Sequence, residues 1–279
     1  MASLLLACNT IHEEICSVAE KLKTEIPMIF LEAGLHIFPE RLHRRLQAEI
    51  DGVDDAVSHI LLGFGFCGNA LVGLRSADKT LVVPKVDDCI TLLLGSIARR
   101  IEINRDGSYY LTRGWLDNRI TIWDEYQRCL KRYGEQKTRI IMRGMIGHYR
   151  RLVLLDTGLP ESGDWRETAG RMASAFALQT VEVKGTSTLI EKLLRGAWDE
   201  DFLVLAPGTE IEWSMLLDLS SVDTGSGGQP GDPGRSLAGE MTIRAPRPTR
   251  GAPYGEGRRG AASAVATRGE RSRHEKNQG

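Results

Sequence analysis

Residues 60–74, ILLGFGFCGNALVGL, decide the fold. Ile60–Phe64 is a short apolar run bounded by glycine, the pattern of a buried strand rather than of a helix. Gly63, Gly65 and Gly68 then predict a turn, and Cys67–Leu74 reads as the opening of a helix. A strand, a glycine turn and a helix in that order form half of a parallel βαβ unit. Working outward, the same alternation recurs. Strands are expected at Leu4–Ala7, Pro27–Leu31 and Thr80–Val83, with helices over Thr10–Lys23, Pro39–Ile50 and Asp88–Ile97. Glu13 and Glu14 fall in the first helix's opening turn, where the helix dipole favours acids. Past a less regular stretch, Ile101–Leu116, come two helical segments, Ile122–Lys131 and Glu135–His148. A second set follows: strands Leu152–Leu155, Thr180–Val183 and Phe202–Leu205, with helices Trp165–Phe176 and Ser187–Leu194. Strands separated by such helical segments predict an α/β protein built of parallel, Rossmann-like βαβ units.

The 279 residues are 42% apolar and 26% charged, which excludes a wholly disordered or fibrous chain. The expected organisation is an N-terminal α/β lobe over residues 1–120 and a helical connection with a second α/β lobe over 121–220, with one continuous sheet as the alternative to two lobes. A tail over 221–279 completes it. Those last 59 residues hold 12 Gly and 5 Pro, with 10 Lys and Arg against 6 Asp and Glu. A segment so poor in apolar residues cannot offset the entropy of its own ordering, so it is expected to be disordered. The formal net charge of −1 gives no general pull toward nucleic acid or membrane. No apolar run approaches the roughly 18 residues a bilayer demands. The opening MASLLLACNT lacks a basic leading region and runs into acidic residues, which argues against a secretion signal.

Five cysteines occur, an odd number without a secretion signal, so a disulfide framework is not expected and a reducing cytoplasm is. Three of them follow predicted strands: Cys8 after the first, Cys67 after the third and Cys89 after the fourth. The carboxyl ends of parallel strands share one edge, and ligands bind there. The three thiols are therefore expected to converge. Soft thiolates suit zinc or an iron–sulfur cluster, and three protein ligands with an open position suit a catalytic metal. No local pair such as Cys-x-x-Cys reinforces this. Free cysteine is also a common core residue, and core packing is the plain alternative for all five. Cys16 and Cys129, inside helical patterns, are assigned to it.

The glycines around Cys67 permit close approach of a ligand to backbone, so Gly63, Gly65, Gly68 and Asn69 are candidate cofactor-binding residues. A thiol at a helix N-terminus would have a lowered pKa, making Cys67 a candidate nucleophile as well. The spacing Gly-x-Gly-x-x-Gly is met by the three glycines. No acidic residue follows at the distance a dinucleotide ribose requires, so that reading is weak. His36, after the second strand, is a candidate general base or fourth ligand. Asp88, beside Asp87 and before Cys89, is a candidate catalytic carboxylate, with capping of the following helix as its simpler role. Tyr110–Trp115 (YLTRGW) reads as an ordered loop that walls the site or packs the lobes together. Leu155–Gly158 (LDTG) ends a strand with polar groups at the same kind of edge.

Gly63–Leu74, Val83–Ser96 (VPKVDDCITLLLGS), Tyr110–Trp115, Tyr133–Glu135, Leu155–Gly158 and Gly196–Gly208 (GAWDEDFLVLAPG) together resemble an uncharacterised prokaryotic family, domain of unknown function 1638. The resemblance covers most of residues 3–210. It implies that Cys67 and Cys89 are family motif residues and gives them no job. It also implies, from the genomic neighbourhood of family members, a corrinoid or methyltransferase partner.

The leading expectation is a metal- or iron–sulfur-dependent enzyme, with Cys8, Cys67 and Cys89 holding the metal in an interlobe cleft and a small molecule as substrate. Two alternatives stand beside it. One is an accessory protein that handles a metal or corrinoid for a methyltransferase, and the other is a metal-free thiol enzyme.

Overall fold

A computed structural model describes residues 2–104, 107–160 and 165–216. The expectation of a disordered tail over 221–279 lies outside the described residues. The chain opens with β1 (Ser3–Cys8), a short 3-10 turn and α1 (His12–Leu22). Then come β2 (Met28–Leu31), α2 (Pro39–Asp51), β3 (His59–Gly63) and β4 (Thr80–Pro84). Two short helices, α3 (Cys89–Leu94) and α4 (Ile97–Ile103), lead to β5 (Ser108–Leu111) and α5 (Arg113–Asp117). The second half holds α6 (Ile122–Ile146), β6 (Arg151–Asp156), α7 (Trp165–Phe176) and β7 (Gln179–Lys184). It ends with α8 (Thr188–Arg195), β8 (Phe202–Leu205) and α9 (Trp213–Leu216). Among the described residues no helix is long and apolar enough to cross a membrane.

The strands form two sheets. The first has the order β2-β1-β3-β4-β8, parallel through its first four strands. Its central members, β1, β3 and β4, are buried along almost their whole length, as strands covered on both faces must be. This is why they read as continuous apolar runs without alternation. Both faces are closed by amphipathic helices. α2 buries Leu42, Leu46 and Ile50 at four-residue spacing, and α8 buries Leu189, Ile190, Leu193 and Leu194. The second sheet has the order β5-β6-β7 and is parallel throughout.

Three features depart from expectation. β8 pairs antiparallel with β4, Leu81 opposite Leu205 and Pro84 opposite Phe202, so the first sheet is mixed rather than wholly parallel. The irregular stretch before residue 120 supplies β5 to the second sheet, while β8, from the second half, closes the first. Residues 67–73 are turns rather than a helix. Cys67, Gly68 and Asn69 have φ of 44°, 66° and 73°, and three successive left-handed residues cannot start a right-handed helix. The two helical segments expected around Gly134 are present. α6 is broken there, where Gly134 adopts φ 74° and ψ 171°.

Candidate functional site

In the first sheet the chain runs outward from β1 to β2 on one side and to β3 and β4 on the other. The carboxyl edge between β1 and β3 is thus the switch point where open α/β sheets take ligands. Cys8 is the last residue of β1, Cys67 sits in the turn after β3, and Cys89 opens α3 after β4. The structure brings all three together at that edge.

Thr10 links two of them. Its hydroxyl lies 3.1 Å from Cys8 Sγ and donates toward Cys89 Sγ at 3.7 Å, so the two sulfurs are within about 7 Å of each other. The third thiol is set by backbone. Phe66 and Cys67 N–H donate to the carbonyls of Val86 and Asp87 at 3.0 and 2.8 Å, laying the loop after β3 along the loop after β4. Phe64 and Phe66, each 1% exposed, anchor this loop in the core. Gly65 is required here, because a Cβ would come within 2.5 Å of the Asp88 backbone. Gly63 likewise has no room for a side chain against Ala7. The space beside these two glycines is filled by the protein's own chain. Gly68 and Asn69 serve the turn through their positive φ, which glycine and asparagine tolerate best.

Burial governs the chemistry of the thiols. It pushes the Cys67 pKa well above the ordinary thiol value, and any charge on Cys89, Cys8, Asp88 or Asp87 raises it further. Cys89 is raised by burial, then by Cys8 and Asp88, and Cys8 by burial against its contacts with Thr10. The activated thiolate expected at Cys67 is therefore not what this environment favours. The turn that replaces the helix removes the N-terminal N–H groups that would have stabilised it. Among the described residues, no group of three or more His, Cys, Asp or Glu is arranged to hold a metal ion. The thiols of Cys8 and Cys89 are engaged with Thr10 instead.

The raised values carry a pH signature. Folded and unfolded chains both hold their thiol protons below the ordinary pKa of about 8.5, and above it the unfolded chain releases them first. The stability tied to these protons is thus complete below that value and is lost as pH climbs toward the raised folded pKa. Urea unfolding of reduced, chelator-treated protein should show a loss of about 1 kcal/mol for each deeply buried thiol between pH 7.5 and 9.5. Cys89→Ser should shrink that slope, and an unchanged slope would place the titration elsewhere.

Asp88 takes the capping role. Its Oδ1 accepts from Thr91 N–H at 2.7 Å at the start of α3, and its Oδ2 lies 3.5 Å from Arg100 Nη2. Arg100 also stacks 3.8 Å above the Tyr110 ring. Asp87 is raised by burial and by the neighbouring Asp88 charge. His36 is half-buried and stacked on Trp115 at 5.7 Å between ring centroids. Burial lowers its pKa, and the Asp88 charge opposes that shift. Asp88 thus lies beside Cys67 and Cys89, while His36 is linked to the thiols only through Trp115 and Asp88.

The YLTRGW segment walls the site. Trp115 is 5% exposed on α5, whose start is capped by Thr112 at 3.2 Å. Asn9, next to Cys8, is tied to α5 through Asn118 at 2.7 Å. Cys16 lies 3.6 Å from His12 on α1, and Cys129 lies 3.5 Å from Glu125 on α6, each within its own helix. Sequence reasoning missed Thr10 and Arg100. A hydroxyl two residues after a strand-end cysteine was a signal for Thr10, while nothing local marks Arg100.

No curated protein and no solved structure matches this chain. The model of the family described as protein of unknown function (DUF1638) matches residues 30–194, a span that includes Cys67, Cys89, His36 and Asp88, and the chain belongs to that family.

Proposed function

We propose that the gathered cysteines are the working centre of a metal- or iron–sulfur-dependent enzyme that acts on a small molecule in the reducing cytoplasm. One observation carries this reading: thiols from three separate strand ends lie along one edge of one sheet, Cys8 and Cys89 sharing Thr10 and Cys67 close enough to feel their charges, where such folds take their ligands. All five cysteines are free, in keeping with a reducing compartment.

Cys8, Cys67 and Cys89 would hold the group, since soft sulfur is the donor type that zinc or an iron–sulfur cluster takes; among the described residues the three are not arranged around an ion, so they would have to shift to bind it. When bound, the metal supplies a Lewis acid that polarises a substrate oxygen. The chain's own residues do the rest. To hold a metal, Cys8 and Cys89 would have to leave the Thr10 hydroxyl, and the three thiols would have to give up protons that burial otherwise retains. Asp88 fixes the start of α3 and so the placement of Cys89. His36, its pKa lowered, is a neutral imidazole at pH 7, able to accept a proton from a substrate held against Trp115.

Elemental analysis and a visible spectrum of anaerobically purified protein test the proposal. Brown protein containing iron supports a cluster, and colourless protein with about one zinc per chain supports the Lewis acid. Cobalt with a corrinoid spectrum would instead favour the accessory role. Metal-free protein that takes up neither zinc nor iron would overturn the reading.

A further inference from the structure

Charge is unevenly spread along this chain. Residues 128–143 of α6 hold six bases, Arg128, Lys131, Arg132, Lys137, Arg139 and Arg143, against one acid, Glu135. That stretch is therefore +5, in a chain whose total is −1. Arg128 is paired with Glu125 and Arg139 with Glu135, but the second pair is more than 70% exposed on both sides and so contributes little. Lys131, Lys137 and Arg143 form no ion pair among the described residues.

The bases are ordered as well as numerous. Past the break at Gly134, α6 buries Thr138, Met142 and Ile146 at four-residue spacing. With 3.6 residues per turn, the opposite face is centred on Ile140, with Gln136 and Gly144 one turn to either side. Ile140 is 70% exposed, and the space around Gly144 is open. Lys137 flanks this stripe on one side, and Arg143 and Arg139 flank it on the other, all three exposed. The face thus carries a slender, nearly uncharged row between two rows of positive charge.

We propose that this face of α6 binds in the major groove of a DNA duplex, with Gln136, Ile140 and Gly144 toward the base edges and Lys137, Arg139 and Arg143 on phosphates of the two strands. The B-form major groove is about 12 Å wide and admits an α-helix, with phosphates along both walls. The major groove of A-form RNA is too deep and narrow for one. A helix that docks in an apolar protein groove needs apolar anchors on successive turns, and one that lies on a membrane needs an apolar face. Among the described residues Ile140 is the one large apolar side chain on this face, so both of those partners fit it less well.

The test titrates the full chain into a fluorescein-labelled DNA duplex of about two helical turns and reads fluorescence anisotropy. With about four phosphates neutralised, affinity should fall roughly 100-fold between about 50 and 200 mM salt. The double variant Lys137→Glu, Arg143→Glu should weaken binding by about tenfold or more and flatten the salt dependence by about two phosphates. Gly144→Leu favours the helix yet fills the central row, so it should weaken binding by about tenfold and leave the salt dependence as it is. Circular dichroism should show both variants folded as the parent is. Three results would each overturn the proposal. One is no binding at the lower salt concentration. Another is binding that neither variant changes, which would place it on the basic residues 221–279 instead. The third is equal binding of polyglutamate or of phosphatidylserine vesicles. Neither variant touches a thiol, so this proposal and the metal reading fail separately.

Discussion

Serine in place of any one of Cys8, Cys67 or Cys89 should lower the metal content of the purified protein by roughly tenfold or more. The three come from three different strand ends, so removing any one leaves the site one soft donor short while the other two strand ends stay in place. Serine keeps the shape and removes the soft donor, which separates metal binding from packing. Cys16→Ser and Cys129→Ser are the controls, because each of these thiols faces a partner on its own helix. They should retain the parent content. If the three were only core residues, the variants would show a modest loss of stability, no change in metal, and slow alkylation of the parent thiols at neutral pH. A pattern in which the control variants lose metal equally would show that the wrong cysteines were chosen.

The second large effect is expected from Trp115→Ala. Trp115 is buried, stacks on His36 and stands against Cys89, on a helix tied to the end of β1 through Asn118 and Asn9. Truncating a buried tryptophan typically costs about 3–5 kcal/mol, from lost transfer energy and the cavity left behind. Urea unfolding at pH 7 measures it. The His36 ring also loses its stacking partner and gains access to water, so its NMR-detected pKa should rise toward the ordinary imidazole value. A loss under about 1 kcal/mol would mean that the segment is a mobile cover rather than a wall.

Much of this architecture is legible in the residues themselves. Leu4–Ala7, Ile60–Gly63 and Thr80–Val83 are unbroken apolar runs because they are central strands buried on both faces. Their carboxyl ends could be placed together from the topology of parallel sheets alone, and with them the three cysteines. What was not legible depends on contacts made at a distance. An apolar run such as Phe202–Leu205 carries no mark of its direction, so its antiparallel pairing with β4 could not be read. β5 is four residues of mixed character, Ser108–Leu111, recognisable as a strand only once β6 lies beside it. The turn at Cys67 is imposed by the loop after β4. The backbone of Asp88 fills the space beside Gly65, and Asp87 accepts the Cys67 N–H. The same contacts decide the chemistry. A helix at Cys67 predicts a reactive thiolate, and the turn actually present predicts a thiol that keeps its proton.

The pairing of β4 with β8 also has a consequence for how the chain is made. Between Pro84 and its partner Phe202 lie roughly 120 residues that include every strand of the second sheet, so the second sheet interrupts the first in time as well as in sequence. A ribosome adding about 5–20 residues each second leaves the outer edge of β4 bare for roughly 6–24 seconds. Through that interval Leu81, Val82 and Val83 present unpaired backbone on an apolar strand, the form of edge that joins other nascent chains most readily. Synthesis, more than the finished fold, is therefore the stage at which this edge is open to pairing with another chain.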